Sequence, residues 1–251
     1  MKKEIRFTYN DVPIESLSYR DFCCFLQEMG NEEKAEFEKR IVNTSFPIYG
    51  LYSDQKDALV NHLKKHDQKA IFSYPGESYE VLYLQGRLIA VGKTSPEEKM
   101  RRLYSWLSSV DNWALTDSVM KGVRIKDSEL PLRYSFMEDL VAQEGEFFVR
   151  FGVILLLSYF LTDDWIDRVF MLLKTVRTGR YYIDMAMAWL CATTLIRYKE
   201  KTLDFLKNAK NLNAFTVKKT FQKARESFRI SDADKAEYAG YQRSFPPYYS
   251  L

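Results

Sequence analysis

Along the chain, apolar residues recur at helical spacing in window after window, and Gly, Asn, Ser or Pro separates one window from the next. Leu17, Phe22, Phe25, Leu26 and Met29 keep one such rhythm, which Gly30-Asn31 breaks. Glu32 to Thr44 follows as a charged helix with Ala35, Phe37, Ile41 and Val42 turned inward. Phe46 to Gly50 is a connection, and Ser53 is placed to cap a helix running toward His66. Tyr79, Leu82, Tyr83 and Ile89 mark a helix over Glu77 to Val91, closed by Gly92. The clearest start signal is Ser95-Pro96-Glu97-Glu98. Ser95 is the expected N-cap, Pro96 takes the first helical position, and Glu98 completes a capping box.

The second half reads the same way. A helix is predicted over Leu132 to Ala142, with Gly145 as its stop. Glu146 to Phe160 is almost wholly apolar, which predicts a central, buried helix. Thr162 or Asp163 caps the next, Trp165 to Val176, and Gly179 separates it from Tyr181 to Tyr198. Thr202 to Ala209, Phe215 to Phe228 and Asp232 to Gln242 complete the series. Residues 1–16 read as an irregular arm, and the tail from Ser244 as irregular. No long window alternates as a strand would. Roughly a dozen helices joined by short loops give an all-α class, with successive helices as antiparallel neighbours. Stacked pairs then make a superhelical solenoid, and a compact bundle is the competing architecture.

Bulk properties change this picture little. A chain of 251 residues holds one large domain or two small ones, and 46% apolar residues is ordinary for a globular protein. Net charge is only +3, but the stretch from Lys201 to Arg229 holds eight basic residues against Asp204 and Glu226. Cys23, Cys24 and Cys191 make no disulfide framework, and Cys191 sits in an apolar run. His62 and His66 have the spacing of a metal pair, yet Asn-His-Leu-Lys-Lys-His-Asp reads as a solvated helix end, so no metal is expected. No apolar leader follows Met1, and Phe151 to Phe160 is too short to span a bilayer, so the expectation is a cytoplasmic protein without a membrane partner.

Three places carry candidate chemistry. Asp111-Asn112 can cap a helix in which Trp113 and Asp117 share a face, one turn apart. An electron-rich ring beside a carboxylate suits a flat cation. The bland alternative for Asp117 is complementing backbone N–H groups near a helix start. Arg150 lies inside an apolar helix and needs a partner or a polar groove, so it is either an internal brace or a phosphate contact. Trp189, between Ala188 and Leu190, is on its own terms more often a core residue than a ligand platform.

The chain resembles the AlkD-like DNA alkylation repair family, built of HEAT-like helical pairs, from about Glu36 to about Arg243. The resemblance is carried by Asn43 to Gly50, Tyr79-Glu80-Val81-Leu82, Asp111-Asn112-Trp113 with Asp117-Ser118, Phe148 to Phe160, Tyr181 to Trp189, and Gln222 to Ile230. No piece is specific alone; their order and spacing are. The resemblance implies a DNA glycosylase that removes positively charged N7- or N3-alkylated purines from double-stranded DNA without metal or organic cofactor. It implies roles for Asp117, Trp113 and Trp189 in the active cleft, and for Arg150 at DNA. With it, the basic segment, including Lys218, Lys219 and Lys223, is expected to grip phosphates.

Two departures from the family pattern point toward an alternative, a DNA- or lesion-binding module without catalysis. Ile41 stands where active members carry a tyrosine, and Ala192 where they carry an arginine. The expected organisation is an N-terminal arm and first helix over 1–30, a helical-repeat domain over 31–243 and a tail over 244–251, acting as a monomer.

Overall fold

The computed structural model describes residues 7–244, so the expected tail beyond Ser244 lies outside the described residues. Helices dominate them. The only strands among the described residues are two residues each, β1 (Thr8–Tyr9) and β2 (Val12–Pro13), paired antiparallel within the predicted irregular arm. A 3-10 turn, Ile14–Ser16, follows them. The chain then divides into two compact units, residues 1–124 and 125–251.

The first unit contains α1 (Tyr19–Met29), α2 (Glu32–Val42), α3 (Ser53–Leu63), the short α4 (Lys69–Ser73), α5 (Tyr79–Val91), α6 (Pro96–Leu107) and α7 (Trp113–Met120). Its centre is α5, where every residue from Tyr79 to Ala90 is buried. Helices α3, α4, α6 and α7 pack around it. Gly86 makes the close approach possible, because a Cβ there would stand 2.6 Å from Trp106 and from Val119. Trp106 answers its burial by donating its ring N–H to the Leu82 carbonyl at 3.0 Å.

The second unit holds α8 (Leu130–Val141), α9 (Glu146–Tyr159), α10 (Ile166–Leu173), α11 (Tyr181–Thr194), α12 (Lys199–Asn208), α13 (Ala214–Glu226) and α14 (Asp232–Ser244). Helices α9, α11 and α13 lie side by side, with α8 and α14 at the two ends of that row. The intervening α10 and α12 meet each other through Phe170 and Phe205, whose ring centres are 5.1 Å apart. The predicted buried helix over Glu146 to Phe160 is α9, with Val149 to Leu156 buried throughout.

Several local expectations are corrected. Phe37 and Ile41 are not inward: they are 58% and 47% exposed, and only Ala35 and Val42 of α2 are buried. Ser95 does accept the Glu98 N–H at 3.2 Å, but the Glu98 carboxylate turns to Arg101 and Arg102 instead of closing a capping box. Charge attraction outweighs one more neutral cap bond there. Gly145 starts α9 as its N-cap rather than stopping α8. Neither Thr162 nor Asp163 caps α10; a turn in which the Thr162 carbonyl accepts from Trp165 and Ile166 leads into it. Tyr52, not Ser53, is the N-cap of α3. His62 is buried at 8% exposure, while Asn61, Lys64, Lys65 and Asp67 around it are exposed as a solvated helix end would be. Cys191 is fully buried, and burial pushes its thiol up to about 12.

Candidate active site and nucleic-acid interface

Helix α7 begins because Asn112, in extended conformation, accepts the Leu115 N–H at 3.1 Å. That leaves the neighbouring Asp111 free for a different task. Its two carboxylate oxygens accept the Thr44 hydroxyl, both at 2.8 Å, and Oδ2 also accepts the Ser45 N–H at 2.8 Å. The loop after α2 is thereby tied to the first turn of α7. Asn43 starts this loop in the left-handed conformation, φ 51°, as asparagine tolerates.

The far end of the same loop is tied to α5. The Glu80 carboxylate is fully buried and accepts the N–H groups of Tyr49 at 3.0 Å and Gly50 at 2.9 Å. Burial pushes its pKa up, against the pull of those N–H groups and of Lys56. Gly50 has φ 77°, and a Cβ there would lie 2.2 Å from the Asn31 carbonyl oxygen, so no larger side chain fits. Anchored at both ends, the strap from 43 to 51 holds the C-terminus of α2 against α7.

That placement reaches the candidate pair. The Trp113 ring N–H donates to the Ile41 carbonyl at 3.3 Å, from 72 residues away in sequence. Trp113 and Asp117 are both half-buried on α7. Asp117 is the fifth residue of the helix, beyond the first turn, so capping does not explain it. The Thr116 hydroxyl donates to the Trp113 carbonyl at 2.8 Å and lies 3.2 Å from Asp117 Oδ1. A cavity of about 700 Å³ in this unit, lined by Phe72, Arg101, Arg102 and Trp106 among others, contains neither Trp113 nor Asp117.

In the second unit, Trp189 is 40% exposed on α11 and is no core residue. It lines a cavity of about 200 Å³ with Ala192, Thr193, Lys223 and Arg229. Packing of α11 on α13 thus brings together Trp189 and Lys223, which the sequence separates by a whole helix. Lys218 is exposed, Lys219 donates to Gln222 at 2.9 Å, and Lys201 is tied to Asp167 at 2.6 Å. Among the described residues, Lys218, Lys223 and Arg229 form no ion pair, leaving their charge for a ligand. Ala192 faces this same cavity, so the departure from the expected arginine falls beside Trp189.

Arg150 lies on the second unit's central helix. It is 5% exposed on α9 and donates from Nη1 to the Tyr182 carbonyl at 3.2 Å, while Glu146 Oε1 accepts the Tyr182 N–H at 2.7 Å. Together they clamp the first turn of α11 to α9.

Residues 25–223 match the family described as DNA alkylation repair enzyme. The chain belongs to that family. None of the curated proteins compared with it matches. The family match spans α2, the strap and α7 in the first unit, and α9, α11 and most of α13 in the second. Membership makes this a DNA alkylation repair protein, with DNA as the partner it suggests. Among the described residues, no helix is long and apolar enough to cross a membrane.

Sequence reasoning passed over Asp111 and Glu80 as site-building residues. A signal for Asp111 exists: Asn112 alone has the right offset to cap α7, which leaves an acidic neighbour unexplained.

Proposed function

We propose that the protein is a DNA glycosylase that releases cationic N7- or N3-alkylated purines from duplex DNA. The observation that carries this reading is the half-exposed Trp113–Asp117 pair, one turn apart on α7 and fixed from outside by the Ile41 carbonyl.

The chemistry needs little more. Alkylation puts a positive charge on the purine, so the C1′–N bond breaks without an external acid and its electron pair neutralises the departing base. The sugar left behind carries oxocarbenium character. A carboxylate at the position of Asp117 stabilises that cation and orients the water that adds to C1′, with the water proton passing to the carboxylate or solvent. The Trp113 ring excludes bulk water and favours the cation through its electron-rich face. Trp189 serves as a second stacking ring, and Lys218, Lys219 and Lys223 hold phosphates in a sequence-independent way. Within the second unit, Arg150 contributes a further cation toward DNA. No step requires a metal or organic cofactor.

A second reading, a DNA- or lesion-binding module without catalysis, is favoured by two placements. An exposed apolar Ile41 sits beside Trp113, and Ala192 lines the Trp189 cavity. One experiment separates the readings: incubation of the full chain with duplex DNA containing N7-methylguanine, with chromatographic detection of free base. Release above the spontaneous rate supports the glycosylase. Salt-sensitive binding without release supports the module.

A further inference from the structure

The only two histidines of the chain meet a glutamate that the fold brings from the N-terminal arm. His62 and His66 lie a turn apart at the end of α3, and Glu15 sits in the 3-10 turn after β2. His62 Nε2 is 3.1 Å from Glu15 Oε2, and His66 Nε2 is 3.9 Å from Glu15 Oε1. One ligand atom from each residue can be chosen so that all lie within 4.8 Å of one another. Three ligands each about 2.0–2.2 Å from a tetrahedral zinc stand roughly 3.3–3.6 Å from one another. Reaching that arrangement requires the ligand atoms to draw together by roughly 1 Å.

Three further features favour a metal over a simple ion pair. His66 Nδ1 lies 2.9 Å from the His62 carbonyl, which can only accept. Nδ1 is therefore the donor of that bond, which leaves Nε2, on the Glu15 side, as the ring nitrogen a metal would take, the outer-shell device by which proteins orient zinc histidines. The two imidazoles stack at 4.1 Å between ring centres, which holds the two rings side by side next to Glu15. The Phe7 ring edges against His62 at 5.3 Å and dries that side, while His66, at 32% side-chain exposure, leaves a way in and room for a water ligand.

We propose that Glu15, His62 and His66 form a zinc site that fastens the N-terminal arm to α3. The site shares no residue with the Trp113–Asp117 pair, so base release does not depend on it.

The test uses the full chain freed of metal by chelation, with Co²⁺ as a spectroscopic probe for zinc. One equivalent of Co²⁺ is expected to bind with visible ligand-field absorption and no sulfur charge-transfer band, and Zn²⁺ should displace it. Uptake should weaken below about pH 6.5, where imidazoles protonate. Zn²⁺ at about a hundredfold excess over Kd should raise the unfolding midpoint by on the order of 5–10 °C. Both responses should vanish in His66→Gln and fall at least about tenfold in Glu15→Gln, with far-UV circular dichroism unchanged. They should persist in the Cys23→Ser, Cys24→Ser double variant. Failure of wild type to take up one equivalent, uptake surviving His66→Gln, or uptake lost with the two cysteines would overturn the proposal.

Discussion

Ile41 and Trp113 show how much one backbone atom can decide. The carbonyl of Ile41 holds the indole, but its side chain contributes only an exposed apolar surface. Replacing it with tyrosine adds a hydroxyl at the edge of the candidate site without disturbing a buried contact. Ile41→Tyr is expected to tighten duplex DNA binding about threefold to tenfold, as one added hydrogen bond would, measured by fluorescence anisotropy. Unchanged affinity would mean that this position does not face DNA. Trp113→Ala removes both the ring and its anchor. It should weaken binding by about 1–3 kcal/mol, the usual worth of a stacked aromatic, in the same assay.

At the scale of elements, the strap from 43 to 51 matters more than any helix. Asp111→Ala leaves the Ser45 N–H and the Thr44 hydroxyl without their carboxylate acceptor. A loss of roughly 2–3 kcal/mol in unfolding free energy is expected from denaturant titration. Base release should fall with it, because α2 and α7 lose their register. The arm has its own test. Glu15 is held below its ordinary pKa, so its stabilising contribution is present above the unfolded value, about 4.3, and is lost as pH falls through the lower folded value. The difference in unfolding midpoint between wild type and metal-free Glu15→Gln should be full near pH 6 and close as pH drops through that range. A constant difference down to pH 2 would contradict the ion-pair role.

Those two elements also mark where the sequence could and could not be read. Helix positions followed from periodicity and caps, since Asn31, Ser95, Asn112 and Asn213 each accept an N–H three residues on. The pairing of Trp113 with Asp117 was legible for the same reason: i and i+4 share a face in any helix. The contacts that build the sites were not legible. Asp111 with Thr44, Glu80 with Tyr49 and Glu15 with His62 join residues 30 to 70 positions apart, and each is set by packing around α5. Phe37 and Ile41 were misread because a helical pattern gives a stripe but not which stripe is covered.

Over the whole molecule, residues 125–251 carry all of the chain's positive surplus, and residues 1–124 are neutral by count. Phosphate affinity and bond cleavage should therefore separate. Lys223→Ala is expected to lower the slope of log affinity against log salt by about 0.9 while leaving the single-turnover rate at saturation unchanged. A rate loss without a change in slope would place Lys223 in the chemistry instead. The central claim is that Asp117 stabilises the sugar cation, and the most direct measurement is single-turnover release of N7-methylguanine from saturated duplex DNA by wild type and by Asp117→Asn. A fall of about 10²–10³-fold in rate with DNA affinity retained is the expected result. Equal rates in the two proteins would contradict it.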